Sequence, residues 1–334
     1  MDAARIAYAL GLVAIALCLG GCSAPPQTDS AIAAPATGLW LITEPAAGIA
    51  PVIRFISSAR HSVEVVMYEF EDRSIERALA GDAARGVDVR VLLNGGYYGD
   101  GFPENEAADT YLRAHGVAVR WAPRTFALTH QKSVEVDGRV AMVLSFNFTP
   151  QYYASSRDFG VIDTDAADVH AIQATFAGDY SDHPVSAPGG DDLVWSPGAQ
   201  GALVGLIDSA HSSLEIYNEE MAAASVVRAL SAAARRGVDV RVVMTEDSSW
   251  NENFAKLTAA GAHVHLFAES APLYIHAKMV LADGREAFIG SENFSSTSLD
   301  RNRELGLLIS SPAILSSLQA TFDGDYRDAT PFRG

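Results

Sequence analysis

Residues 130–147 read HQKSVEVDGRVAMVLSFN, and residues 276–293 read HAKMVLADGREAFIGSEN. Nine positions are identical at an offset of 146 residues, and five of them carry polar groups suited to chemistry at one site: His130, Lys132, Asp137, Ser145 and Asn147 recur as His276, Lys278, Asp283, Ser291 and Asn293. Residues two apart on a β-strand share a face, so each histidine points the same way as its lysine, and each serine as its asparagine. The duplication predicts one active site to which both copies contribute.

The repeat extends well beyond these two stretches. RGVDVRV at residues 85–91 recurs at residues 236–242, and TFAGDY at residues 175–180 recurs as TFDGDY at residues 321–326. The repeat predicts a first half at residues 39–183 and a second half at residues 193–330. Residues 184–192 contain Ser, Ala, Pro and two Gly residues, which is typical of a linker.

Strand-like and helix-like segments alternate in each half. In the first half, β-rich residues 63–68 precede helical spacing at residues 74–85, with Ser74 as a candidate N-cap, and an apolar strand follows at residues 87–93. This order predicts an α/β fold in which helices cover the faces of a sheet. Asp-Gly lies between two apolar runs in both copies of the motif, which predicts two type I′ hairpin turns.

The N-terminal residues resemble a targeting segment rather than a folded element. Arg5 precedes an apolar run that is too short for a comfortable membrane span, and residues 1–21 are predicted to be a lipoprotein signal peptide. The run ends in Leu19-Gly20-Gly21-Cys22, which resembles a bacterial lipobox, so Cys22 is the predicted lipidation site and residues 22–38 a flexible tether. This predicts an exported protein, lipid-anchored to a bacterial membrane in the cell envelope or periplasm. A plain secretory signal peptide and an uncleaved anchor remain alternatives.

Charge and cysteine content restrict the function further. The 334 residues carry a formal net charge of −17, which disfavours nucleic acid because its binding depends on Lys and Arg. Cys18 and Cys22 are the only cysteines, so the mature domain can form no disulfide of its own.

Two histidines, two lysines and two asparagines suit the cleavage of a phosphodiester. One imidazole attacks phosphorus to form a phosphohistidine, while the other protonates the leaving alcohol and then activates water. The lysines, with Ser145, Asn147, Ser291 and Asn293, are predicted to donate to the phosphate oxygens. This scheme requires neither a metal nor a cofactor.

The pattern His-x-Lys-x4-Asp-x6-Gly-Ser-x-Asn resembles that of the phospholipase D superfamily, and its duplicated layout covers nearly all of the mature chain. The resemblance implies two pseudo-symmetric α/β/α sandwich halves with one shared active site at their interface. It also implies that Asp158 and Glu304, each 28 positions after its own histidine, orient the imidazoles. The first copy departs from the pattern at Leu144, where glycine is expected, and this side chain is predicted to narrow one pocket wall.

Other residues near the motifs receive weaker assignments. The motif aspartates Asp137 and Asp283 are often called catalytic in this family, yet their Asp-Gly turns favour a structural role. Tyr68-Glu69 and residues 217–220 end equivalent strands and are predicted to line the mouth of the site. His263 and His265 share a strand face but have no third ligand nearby in sequence, so packing is favoured over a metal pair.

The favoured activity is hydrolysis of a membrane phospholipid to phosphatidate and a free head group. A superfamily endonuclease acting on DNA or RNA and a cardiolipin-synthase-like transphosphatidylase remain as alternatives. A degenerate, non-enzymatic member is disfavoured because both histidines and both lysines are present. The predicted partner is phospholipid at a membrane surface rather than nucleic acid, and a monomer is expected because one chain holds both half-sites.

Overall fold

The computed structural model describes residues 38–334. The predicted signal peptide, the lipidation site Cys22 and all but the last residue of the predicted tether lie outside these residues. No helix within the described part of the chain combines the length and apolar character needed to cross a bilayer.

The first half forms a mixed sheet in the spatial order β1-β7-β6-β5-β2-β3-β4. Its strands are β1 (Leu39–Glu44), β2 (Ser62–Met67), β3 (Asp88–Leu93), β4 (Ala118–Trp121), β5 (Ser133–Val136), β6 (Val140–Leu144) and β7 (Ser156–Asp163). Its helices are α1 (Ala50–Ile56), α2 (Arg73–Ala84), α3 (Pro103–Ala114) and α4 (Ala166–Tyr180). Strands β2, β3 and β4 are parallel, whereas β5, β6, β7 and β1 continue the sheet in antiparallel pairs.

The second half repeats this arrangement. Its strands are β8 (Leu193–Ser196), β9 (Ser213–Tyr217), β10 (Asp239–Thr245), β11 (His263–Phe267), β12 (Tyr274–Ile275), β13 (Lys278–Ala282), β14 (Glu286–Gly290), β15 (Glu304–Ile309) and β16 (Thr330–Pro331). Its helices are α5 (Ala199–Ser209), α6 (Ala224–Arg235), α7 (Asn251–Ala259), α8 (Ser296–Asp300) and α9 (Pro312–Asp328). The sheet order is β16-β11-β10-β9-β13-β14-β15-β8, while β12 pairs with β7 of the first half. The predicted α/β fold with two pseudo-symmetric halves is confirmed.

Each sheet is buried on both faces. In the second half, α5, α6 and α7 cover one face and form a core with the apolar side chains of β9 and β10. Helix α9 covers the other face, and its cluster includes Phe159 and Val161 from β7 of the first half. The inner faces of the two sheets therefore share one apolar core, which fixes the position of one half on the other.

The predicted strand, helix and turns are present, but the start of one helix differs from the prediction. The predicted strand at 63–68 and helix at 74–85 correspond to β2 and α2. The N-cap of α2 is Asp72 and not Ser74, because the Asp72 carboxylate accepts from the amides of Ser74 and Ile75. Both Asp-Gly turns are present. Asp137 and Gly138 have φ of 59° and 65°, and Asp283 and Gly284 have 54° and 62°, the positive values that a type I′ turn requires.

Candidate active site

The start of each His-x-Lys motif is held by backbone hydrogen bonds to the opposite half. The amides of His130 and Gln131 donate to the carbonyl of Arg303 at 2.9 and 3.0 Å. The amides of His276 and Ala277 donate in the same way to the carbonyl of Arg157 at 3.2 and 2.8 Å. Both histidines thus precede their strands, since β5 begins at 133 and β13 at 278, and the opposite half sets their position.

The two arginines that accept these amides are anchored by crossed ion pairs. Arg157 of the first half contacts Asp325 of α9 through Nε and Nη2 at 2.6 and 2.9 Å. Arg303 of the second half contacts Asp179 of α4 through the same atoms at 2.7 and 2.9 Å. A two-pronged guanidinium–carboxylate contact is both strong and geometrically specific. The ion pairs therefore fix the backbone on which both histidines depend.

The acidic partners of the histidines are exchanged between the halves as well. His130 Nδ1 lies 2.8 Å from Glu304 Oε2, and His276 Nδ1 lies 2.9 Å from Asp158 Oδ1. Each acid therefore pairs with the histidine of the opposite half and not with the histidine 28 positions before it. A carboxylate on Nδ1 fixes the tautomer and leaves Nε2 of each ring available for chemistry.

Both lysines are fully buried beside their histidines. Lys132 Nζ donates to the His130 carbonyl at 2.6 Å and lies 4.9 Å from the Tyr68 ring centre. Lys278 Nζ donates to the His276 carbonyl and lies 3.1 Å from Glu219 Oε2. Burial, and then the charge of Lys278, lowers the pKa of Lys132 to about 7. The two lysines are thus close enough for the charge of one to act on the other.

The serines and asparagines of the motif separate into two roles. Asn147 and Asn293 line the cavity, as expected for donors to a phosphate. Ser145 and Ser291 do not line it, so the expectation that they bind phosphate was wrong. The Ser145 hydroxyl donates to Asp158 at 2.6 Å and accepts from an adjacent amide, while the Ser291 hydroxyl accepts from the Leu305 amide at 3.2 Å. Both hydroxyls are committed to the neighbouring strand.

The motif aspartates lie at the far ends of the hairpins. The Asp137 carboxylate accepts from the amides of Arg60, His61 and Ser62 at 2.7–3.1 Å. Asp283 accepts from the amides of residues 211–213 at 2.7–3.2 Å. Although burial acts in the opposite direction, these hydrogen bonds lower the pKa of both carboxyls. Their contacts are with the backbone that enters β2 and β9.

A cavity of about 830 Å³ connects the two half-sites, and both His130 and His276 line it. Its carboxylates are Glu44, Glu69, Asp158, Glu219, Glu220, Asp247 and Glu269. Its aromatic side chains are Tyr68, Phe146, Tyr152, Tyr153, Trp250 and Tyr274. Within the described part of the chain, no lysine or arginine lines this cavity, and no group of three or more His, Cys, Asp and Glu side chains is arranged to hold a metal ion.

Three predicted wall residues lie elsewhere. Asn218 is fully buried, and its amide donates to the Glu292 carbonyl at 3.2 Å. Leu144 is fully buried in the core of the first half, where its side chain fills the space above Gly160, so it does not narrow the pocket. Tyr217 is also fully buried and donates to Asp325 at 2.6 Å, whereas Tyr68, Glu69, Glu219 and Glu220 line the cavity as expected.

Several cavity residues were absent from the sequence predictions. Glu44 is the last residue of β1, and Asp247 and Glu269 follow β10 and β11 by two positions each. Polar residues just after the carboxyl ends of parallel strands often meet at one edge of a sheet, which is the signal that could have identified the last two. Asp239 and His263 contact each other at the opposite ends of the same strands, away from the cavity.

The fold and the paired histidines are those of a superfamily of phosphodiester-transferring enzymes. The chain belongs to the phospholipase D superfamily, because a family model described as "Cardiolipin synthase, PLD-like domain" matches residues 52–180 and 203–326. The two matched segments fall in the two structural halves.

Similar proteins carry related descriptions. A cardiolipin synthase of Listeria monocytogenes serotype 4a is 23% identical over 319 residues, covering 81% of this chain and 65% of that protein. The chain therefore spans somewhat less than two thirds of the length of this relative. The crystal structure of phosphatidylserine synthase from Haemophilus influenzae Rd KW20 superposes with a TM-score of 0.65 at 14% identity, covering 88% of this chain and 87% of that one. That similarity supports the fold.

Proposed function

We propose that the protein transfers a phosphatidyl group from a phospholipid to the hydroxyl of an alcohol through a covalent phosphohistidine. The observation that carries this proposal is that His130 and His276 line one cavity, each with Nδ1 on a carboxylate of the opposite half. The sequence alone favours hydrolysis, with transfer as an alternative. The match to a cardiolipin synthase family model supports the alternative better.

The proposed reaction has two displacements at phosphorus. Nε2 of one histidine attacks phosphorus, the bond to the head-group oxygen breaks, and the second histidine gives its proton to that oxygen. The second histidine then takes a proton from the acceptor alcohol, whose oxygen attacks phosphorus and breaks the phosphorus–nitrogen bond. If water replaces the alcohol, the same steps yield phosphatidate.

The remaining site residues receive roles from their contacts. Asp158 and Glu304 hold the imidazoles in the required tautomer. The amides of Asn147 and Asn293 line the cavity and donate to the non-bridging phosphate oxygens, whereas the buried Lys132 and Lys278 act on the developing negative charge from behind the histidines.

The lining of the cavity favours lipid over nucleic acid. A nucleic acid brings several phosphates to its binding surface and is held by Lys and Arg side chains. Here seven carboxylates line the cavity, and its only basic side chains within the described residues are the two histidines. A volume of about 830 Å³ lies within the usual range for small-molecule sites and can hold a head group and an acceptor alcohol together.

We expect the enzyme to act as a monomer at a membrane surface. One chain supplies both half-sites, so a second copy is not required for chemistry. A lipid anchor at Cys22 would hold the cavity close to its substrate. The anchor and the signal peptide remain predictions from the sequence.

The test is to incubate the purified full chain with phosphatidylglycerol vesicles, with and without added ethanol, and to identify lipid products by mass spectrometry. Transfer yields cardiolipin and free glycerol, and phosphatidylethanol when ethanol is present. H130A and H276A serve as matched inactive controls. Phosphatidate alone, even with excess ethanol, would establish hydrolysis instead. Cleavage of single-stranded or duplex DNA in a parallel incubation, with intact lipid, would establish a nuclease.

A further inference from the structure

The two histidines have different neighbours at one repeat-equivalent position. Phe70 forms an isolated parallel β-bridge with Phe148, and Met221 forms the equivalent bridge with Phe294. Phe70 and Met221 are therefore equivalent positions, which gives an offset of 151 residues just after β2 and β9. By that offset Tyr68 corresponds to Glu219. The first half therefore places a neutral phenol beside its histidine and lysine where the second half places a carboxyl group.

Tyr68 contacts its half-site only through its ring. The Tyr68 and His130 rings lie 4.6 Å apart in an edge-to-face arrangement, and the Lys132 ammonium lies 4.9 Å from the Tyr68 ring centre. An aromatic ring excludes water and adds no full charge. Burial is the largest cause of the lowered pKa of His130, opposed by Glu304 and reinforced by Lys132.

Glu219 surrounds the other histidine with negative charge. Its Oε2 lies 3.6 Å from His276 Nε2, 3.1 Å from Lys278 Nζ and 3.3 Å from Asn293 Nδ2. Its Oε1 accepts from the Tyr274 hydroxyl at 3.0 Å. Burial acts to raise the pKa of Glu219, but Lys278 and His276 outweigh it and lower that pKa, so Glu219 is ionised.

His276 is thus held between two carboxylates, with Asp158 on Nδ1 and Glu219 near Nε2. Other charged or titratable groups that face this pair include Glu69, Glu220, Lys132, Lys278, Tyr68, Tyr274 and His130. The two carboxylates are placed to stabilise positive charge that develops on this ring during proton transfer. An imidazolium can give a proton to a leaving alcohol but has no lone pair with which to attack phosphorus.

We infer that Glu219 is a positioning residue that makes the half-sites inequivalent, fixing His276 as the proton donor and leaving His130 as the nucleophile. This inference rests on the proposed function, because it assigns the two roles that phosphatidyl transfer requires. In the first step His130 Nε2 bonds to phosphorus, the bond to the leaving oxygen breaks, and His276 gives its proton to that oxygen. In the second step neutral His276 takes the proton of the acceptor hydroxyl, whose oxygen displaces His130.

The test compares two leaving groups in E219Q, with E246Q as the matched control, because Glu246 is an exposed carboxylate that does not line the cavity and its substitution should leave kcat unchanged. With phosphatidylglycerol, whose leaving alkoxide needs a proton, E219Q should lower kcat by about tenfold, an effect typical of carboxylates that orient a functional histidine. With phosphatidyl-p-nitrophenol, whose leaving phenolate needs none, E219Q should retain nearly all activity.

The histidine variants test the assignment directly with the activated ester. H276A should still release a burst of p-nitrophenol and accumulate a phosphohistidine at His130, detected by mass spectrometry of the quenched protein. H130A should release no burst. A burst in H130A with label on His276, or equal losses in E219Q on both substrates, would overturn the inference. No release of p-nitrophenol by the unmodified protein would instead refute the proposed function itself.

Discussion

The half-sites around His130 and His276 share a backbone frame but differ in the side chains that complete them. In both, the histidine amide binds an arginine carbonyl of the other half, and Nδ1 meets a carboxylate. Beside this shared frame, the first half has the Tyr68 ring and the second has the Glu219 carboxylate. A duplicated frame can therefore place two imidazoles symmetrically while their neighbours assign them different chemistry.

The two acids that orient the histidines also differ between the half-sites. Asp158 is the shorter side chain and shares one oxygen, Oδ1, between His276 and the Ser145 hydroxyl. Glu304 uses Oε2 for His130 and Oε1 for donors from Ser298 and Asn302 at 2.6 and 2.9 Å. Burial opposes ionisation of Glu304, but His130 and Lys132 outweigh it and lower its pKa.

The largest expected effect comes from breaking the crossed pairs. D158N and E304Q should each lower turnover by about 10²- to 10⁴-fold, because an amide can hold the histidine in the wrong tautomer. NMR of the ring protons separates the two: D158N should remove the downfield Nδ1 proton signal of His276 and leave that of His130, and E304Q should do the reverse. Loss of the signal from the histidine of the same half would contradict the crossed pairing.

The second expected effect compares the two arginine anchors. The Arg303–Asp179 pair is the more buried, with both side chains 3% exposed, against 12% and 9% for Arg157–Asp325. R303A should lower the free energy of unfolding by about 3–5 kcal/mol, because it leaves a buried carboxylate uncompensated. R157A should cost less, since Asp325 keeps the Tyr217 hydroxyl. Denaturant unfolding measures both losses, and a larger loss in R157A would contradict the ranking.

Much of this arrangement could be predicted from the sequence, because an internal repeat indicates that the two halves have the same fold. The α/β alternation, the two hairpins and the pairing of His130 with His276 in one site all follow from motifs at a fixed offset. Local turn chemistry was equally informative, since Asp-Gly specifies a turn through its own φ angles.

What could not be predicted depends on contacts between halves. Nothing in the spacing of Asp158 from His130 reveals that the acid reaches the other histidine, because that outcome is set by how the two sheets pack. The buried hydroxyls of Ser145 and Ser291 escaped prediction for a related reason. Their period-2 spacing with the asparagines places them at the site, but the neighbouring strand takes their hydrogen bonds.

A smaller effect should separate the motif aspartates from the histidines. D137N and D283N remove a carboxylate that accepts several backbone amides, at a cost of about 1–3 kcal/mol in the free energy of unfolding. Because folding lowers the pKa of both carboxyls, their contribution is present above the ordinary value of 3.8 and is lost as pH falls below it. As pH is lowered, the free energy of unfolding should therefore fall less in these variants than in the unmodified protein.

Turnover per folded molecule should remain within about twofold in these two variants, because such surface substitutions act on stability and not on the site. Steady-state kinetics on phosphatidyl-p-nitrophenol, after the folded fraction has been measured by circular dichroism, provides the comparison. A loss of kcat without a loss of stability would show that these aspartates take part in catalysis.

The smallest expected effect distinguishes the two lysines. Lys132 faces a neutral phenol and has its pKa lowered to about 7, whereas Lys278 is paired with Glu219. The Lys132 side chain is charged below about pH 7 and neutral above it. Sulfate remains a dianion over this range. It should therefore bind about tenfold more weakly as pH rises, which is the difference expected between a charged and a neutral group. Calorimetric titration of K132R should show no such decline, because a guanidinium keeps its charge. K278R should retain the decline, and a flat profile in the unmodified protein would mean that the burial of Lys132 does not control anion binding.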